Sequence, residues 1–320
     1  MKKLGALLLG FVLFCTLSST AMAYQNPNLN IGATDFTDPP AQVPGFVFLN
    51  NVVFINGDLK DGEGHSLPGT NKLSVLAYAP QGVYTSKVKL PWDISWGVTV
   101  GWPMSSISTD SDIGLKAANG FVGDPFFGVF AGRQHNFAKD WALHWMVEFD
   151  TYFPLGKYDN EKAFNPGANY YTFEPFLALR LQMPYGFELT TRQSIDFNTK
   201  NHNYVNPAIT RDFLEHDYQA GDFWHFNWSF SKSLDFITPL LRFGVVGTYQ
   251  KQISADRIDS NTVPDSYVEY WGIGPCLQWT YIPQGGKFPA AIFSLKTYWD
   301  NGAKNAVEGN RTVFRMVMPF

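Results

Sequence analysis

Every second residue from Trp92 to Trp102 is Trp, Ile or Val, and the positions between them are Asp93, Ser95, Gly97, Thr99 and Gly101. A period of two with one oily and one polar face marks a β-strand that separates an apolar medium from a polar one. The pattern recurs at Trp224, Phe226, Trp228 and Phe230 against His225, Asn227 and Ser229, and at Ala291, Phe293, Leu295 and Trp299 against Ser294 and Lys296. At the end of the chain Phe314, Met316, Met318 and Phe320 alternate with Val313, Arg315, Val317 and Pro319.

Twelve such segments are predicted, at about 46–57, 71–84, 91–102, 121–134, 141–153, 169–182, 185–197, 217–231, 239–252, 266–281, 289–299 and 310–320. Connections after the even-numbered segments are short, as at Met183-Pro184 and Pro283 to Gly286, whereas those after the odd-numbered ones are mostly longer and rich in Gly, Asn and Asp. That alternation is the layout of a transmembrane barrel with short periplasmic turns and long outer loops, and an even strand number returns both ends of the sheet to one side. The predicted fold is therefore all-β: one up-and-down antiparallel barrel of about 12 strands over residues 45–320. The first, second and fourth segments alternate less cleanly, since Val52-Val53-Phe54-Ile55 and Phe126-Phe127 are apolar on both faces. A soluble secreted β-sandwich or barrel also alternates, but it leaves strands with Trp at both ends unexplained.

Composition supports the lipid-facing reading. Aromatic residues make up 17% of the chain while mean hydropathy is close to zero, so apolar content is spread by alternation instead of being gathered into a spanning helix. Formal net charge is −4, which does not invite nucleic acid.

Lys2 and Lys3, an apolar run from Leu4 to about Cys15, and then Ala21-Met22-Ala23 form a secretory leader over residues 1–23. Export fits the cysteines, because with Cys15 removed only Cys276 remains and no internal disulfide can form. Residues 24–44, from Asn26-Pro27-Asn28 through Asp38-Pro39-Pro40 to Pro44-Gly45, are too rich in Pro and Asn for a strand ladder. They form either a disordered periplasmic tail or a plug inserted in the lumen.

Placing the apolar face of each strand toward lipid assigns the other face to the lumen. Charge facing lipid costs ~2–4 kcal/mol at the midplane, so Asp93, His144, Glu148, Asp150, Glu174, Arg180, Glu188, Arg192, Arg242, Lys296 and Arg315 are expected to point inward, with acids beside arginines on neighbouring strands. This set serves either as a salt-bridged filling or as a selectivity lining for solutes. Its mixed sign argues against strong ion selectivity. No cofactor motif is present, and neither His65 with Asp58, Asp61 and Glu63 nor His202 with His216 has a metal-ligand spacing. His144 lacks a serine placed for a hydrolytic pair, so a catalytic role is not assigned.

Two resemblances add to this reading. The closing strand, with Phe314, Met316, Met318 and terminal Phe320, resembles the C-terminal signal by which the barrel-assembly machinery recognises outer-membrane proteins. Pro154-Leu155-Gly156-Lys157-Tyr158, the run Asn165 to Pro175, Gly186-Phe187-Glu188-Leu189 and Asp196 to Asn201 resemble the "MetA-pathway of phenol degradation" family. Gly123-Asp124-Pro125, Tyr218 with Gly221-Asp222, and Gly272-Ile273-Gly274-Pro275 are similar as well. The family implies a barrel in the bacterial outer membrane, in contact with its lipid and lipopolysaccharide and associated with the use of aromatic or hydrophobic compounds. The function expected is passive uptake of a small hydrophobic solute. The alternatives are a non-transporting structural or adhesive barrel acting through its outer loops, and a lipid-modifying barrel enzyme.

Overall fold

The structure, a computed structural model, describes residues 32, 34–40, 43–205, 213–283 and 289–320. The expected leader at 1–23 lies outside the described residues.

Twelve strands form the wall: β1 (Gly45–Leu59), β2 (Asn71–Thr85), β3 in two pieces (Ser95–Gly101 and Met104–Ser111), β4 (Phe126–Ala138), β5 (Trp141–Tyr152), β6 (Thr172–Gln182), β7 (Phe187–Asn198), β8 (Phe223–Ser233), β9 (Leu241–Gln252), β10 (Glu269–Tyr281), β11 (Ala291–Lys304) and β12 (Val307–Pro319). Each pairs antiparallel with the next, and β1 pairs with β12 from Val47 opposite Pro319 to Leu59 opposite Val307, so the sheet closes. Closure matters because an open edge cannot be satisfied in hydrocarbon. Four short strands, Lys200–Tyr204, His216–Gln219, Arg257–Ile258 and Asn261–Thr262, form a separate small sheet from the loops that follow β7 and β9.

The outer surface carries an apolar band between two aromatic rings. Trp102, Tyr171, Trp271 and Trp299 are exposed near the long-loop end, while Trp92, Tyr185, Trp279 and Tyr281 are exposed near the short-turn end. On β10 both rings are visible, Trp271 in the upper and Tyr281 in the lower, joined by a length of tilted strand suited to an apolar band of ~25 Å. This wall places the chain in the bacterial outer membrane, with the termini of the sheet and the short turns at the periplasmic end.

The strands that are apolar on both faces have a use for the second face. Val53 packs against the buried group Phe36, Val246, Cys276, Tyr298 and Val313, while its neighbour Phe54 is exposed. Phe126 packs against Tyr152 with ring centroids 5.1 Å apart, and Phe127 faces outward.

Two local expectations fail. Asp93 is not on the inner face: with Trp92 it has positive φ in the turn Pro91–Asp93, exposed ahead of β3. The alternation begins only at Ser95, because the left-handed backbone at Trp92 and Asp93 breaks the pleat that would have carried the side chain inward. The connection between β11 and β12, expected to be long, is only Asn305-Ala306, with Asn305 at φ 47°. Both strands run past the apolar band, where outward polar residues such as Asn301 and Asn310 are tolerated, and their polarity hides the strand from a lipid-facing pattern.

Candidate functional site

The interior is polar and crowded. On β5, His144, Met146, Glu148, Asp150 and Tyr152 are buried while Val147 and Phe149 are exposed. Glu174 and Arg180 on β6, Glu188 and Arg192 on β7, Lys296 on β11 and Arg315 on β12 are buried too, and Arg242 on β9 is largely so. These side chains do not pair across strands as acids beside arginines. In register, Asp150 stands opposite Glu174, and Arg180 stands between His144 and Thr190. In the Nε2–H tautomer, His144 donates to Gln182 Oε1 at 2.9 Å and accepts at Nδ1 from Arg180 Nη2 at 3.2 Å. Within the expected set an acid meets an arginine at Glu188 and Arg242, 3.2 Å apart near the periplasmic end, and they reach each other across β8.

The main partners of the interior cations come from ahead of β1. Thr34, Asp35, Phe36 and Asp38 are at most 1% exposed, and all lie within the barrel. Arg192 binds Asp38 with two parallel hydrogen bonds, Nε to Oδ2 at 2.9 Å and Nη2 to Oδ1 at 2.8 Å, the geometry that makes an arginine–carboxylate contact specific. Its guanidinium also lies over the Phe176 ring at 4.1 Å. Arg315 stands 3.4 Å from Asp35, Ser294 donates to the same carboxylate, and Lys296 Nζ donates to Thr34 O at 2.6 Å. Thr190 donates to Asp35 O and Asn227 Oδ1 accepts from Gly32 N. Sequence reasoning left residues 24–44 as either a tail or a plug and missed these contacts, because alternation orders side chains along a wall and does not say which of them an inserted segment meets.

Beside the inserted segment lies a cavity of about 380 Å³. Its apolar wall includes Phe46, Val83, Phe130 and Met146, and its charged wall includes Glu148, Asp150, Arg180, Arg192 and Arg315. Pro319 and Phe320 border it, so it reaches the periplasmic end of the barrel. Phe320 also packs 6.2 Å from Phe46, and its amide donates to Phe46 O at 2.7 Å.

The outer mouth is covered by loops tied through two buried carboxylates. Asp124 is 0% exposed and accepts from Gly156 N and Ala168 N, each at 2.7 Å. It thereby joins the three Gly- and Pro-containing stretches 123–125, 154–156 and 165–168. Gly156 and Gly167 touch so closely that a Cβ on either would meet the other's backbone at 2.8 Å. Asp256 accepts from Tyr218 Oη, Gly221 N and Gln252 Nε2 at 2.7–2.9 Å. Burial raises the Asp256 carboxyl to about 6, against the hydrogen bonds that favour its ionised form.

Comparison with known proteins agrees with this architecture. The crystal structure of the COG4313 outer membrane channel from Pseudomonas putida F1 matches over 90% of this chain and 100% of its own, with a TM-score of 0.72 at 15% identity. The translocator domain of the autotransporter NalP from Neisseria meningitidis (TM-score 0.41, 10% identity, 89% of this chain and 92% of that one) and OprD of Pseudomonas aeruginosa (0.36, 8%, 86% and 94%) are more distant, and no argument rests on them. A search of curated proteins gave no match. Residues 57–316 match the family described as "Putative MetA-pathway of phenol degradation", and the chain belongs to that family.

Proposed function

We propose that the barrel is a passive channel for small hydrophobic or aromatic molecules. The cavity of about 380 Å³ between Phe130, Met146 and the inserted segment carries this reading, because a largely apolar recess of that size with a few placed charges suits one small molecule. The printed description of the similar solved structure, an outer membrane channel, and the family's association with phenol degradation support it. A non-catalytic role is supported by His144, whose neighbours are Gln182 and Arg180, not a serine and a carboxylate. The small sheet above the barrel favours one second reading, an adhesive or structural barrel acting through its outer surface.

Flux into proteoliposomes separates the two. The transport reading expects entry of phenol-sized aromatics above that into protein-free vesicles, and several-fold slower entry with Met146→Trp, which adds bulk to the apolar wall of the cavity. Entry equal to that of empty vesicles would leave the adhesive reading.

A further inference from the structure

Glu174, Asp196 and His225 stand on the consecutive strands β6, β7 and β8, toward the ends that carry the outer loops. The register places Asp196 opposite Phe223 and Ser194 opposite His225, so the three inward side chains converge diagonally. Each is fully buried. His225 Nε2 lies 3.2 Å from Asp196 Oδ2 and 3.4 Å from Glu174 Oε1. Despite these distances, Glu174 Oε1, both Asp196 oxygens and both His225 ring nitrogens have no hydrogen-bond partner.

Buried polar groups are almost always satisfied, and buried charge is paired or bound to metal. Here two carboxylates face one imidazole, which leaves negative charge in excess whether the imidazole is neutral or protonated as long as both carboxylates are ionised. Asp150, in register with Glu174 on the adjacent strand, adds to that excess, while Arg192 is committed to Asp38. A first-row divalent ion held at ~2.0–2.1 Å in tetrahedral geometry sets its donors ~3.3–3.4 Å apart, close to the two separations observed. The other Glu174 oxygen, Oε2, accepts from Tyr152 Oη at 2.9 Å, an outer hydrogen bond of the kind that holds a metal ligand in orientation.

We propose that Glu174, Asp196 and His225 together bind a divalent transition-metal ion inside the barrel, beneath the outer loops. One imidazole with two carboxylates suits Zn²⁺, or Co²⁺ as its spectroscopic substitute, better than the all-oxygen shells of Ca²⁺ and Mg²⁺. The ion would neutralise both carboxylates and tie three neighbouring strands. No residue pattern along the sequence could announce it, because the ligands are assembled by strand register.

The test uses the full chain in detergent micelles after chelator treatment, titrated with Co²⁺ and then Zn²⁺. One saturable site is expected, with visible absorption typical of four- or five-coordinate cobalt that Zn²⁺ abolishes. Glu174→Gln, Asp196→Asn and His225→Gln should each weaken binding at least ~10-fold, with heat-modifiable gel migration reporting an intact barrel. His202→Ala, on the exposed small sheet, should leave the affinity unchanged. The site is overturned if the folded chain binds neither ion, if binding persists in all three folded site variants, or if His202→Ala alone removes it.

Discussion

Arg192 on the wall and Asp38 ahead of the first strand share two hydrogen bonds, 2.9 and 2.8 Å long, inside the barrel. Removing the arginine strands a buried carboxylate, a change that costs ~3–5 kcal/mol when the structure cannot relax. The segment carrying Asp38 can relax by leaving the lumen. Arg192→Ala is therefore expected to raise single-channel conductance in planar bilayers from a low, weakly ion-selective level, and deletion of residues 24–44 should raise it further. Equal conductance in all three proteins would show that the inserted segment is not the constriction.

Asp124 holds three stretches of the outer loops through Gly156 and Ala168. Hydrogen bonds to a charged group contribute ~1.5–3 kcal/mol each, so Asp124→Ala should loosen the loops without dissolving the wall. Limited proteolysis of intact cells is expected to cut the β5–β6 loop several-fold faster in the variant, while heat-modifiable migration persists. An unchanged cleavage rate would mean that the Gly156–Gly167 contact alone fixes the loops.

The loop cover should respond to pH through Asp256. Its carboxyl is raised from 3.8 to about 6 by burial, so its contribution to local stability is full below 3.8 and is lost as pH rises through about 6. Asp217, lowered by His202 and Lys200, and Asp259, lowered by His216, act with the opposite sign: their contributions are present above 3.8 and fade as pH falls through their lowered values. Both lie at the surface, partly exposed, and solvent screens them. Hydrogen exchange of the Tyr218 to Gly221 stretch, divided by the intrinsic exchange rate at each pH, should therefore quicken between about pH 4 and 6, and Asp256→Asn should flatten that profile. A wild-type profile without this rise would exclude Asp256 as the titrating group.

Phe320 closes the seam between the first and last strands through Phe46. If this residue is also read by the assembly machinery, Phe320→Ala should lower the heat-modifiable barrel recovered from outer membranes several-fold, while refolding in detergent stays nearly unaffected. A parallel loss in detergent would assign Phe320 to the seam alone.

The sequence by itself determined the wall. Strand period, the outward aromatic residues and the contrast of short and long connections fix a twelve-strand barrel, because lipid on one side and polar contents on the other impose alternation on each strand separately. That local rule also brought out the inward residues of β5 to β7, and it failed where another influence took over: a left-handed turn at Asp93, and polar strand ends beyond the membrane at the β11–β12 hairpin. Only the tertiary structure decided what the inward groups touch. Arg192 and Arg315 meet Asp38 and Asp35 because a segment enters the closed sheet, and Glu174, Asp196 and His225 converge because register aligns three consecutive strands. Alternation specifies which way a side chain points, whereas partnership depends on strand register and on what fills the enclosed volume, and neither is written in any one strand.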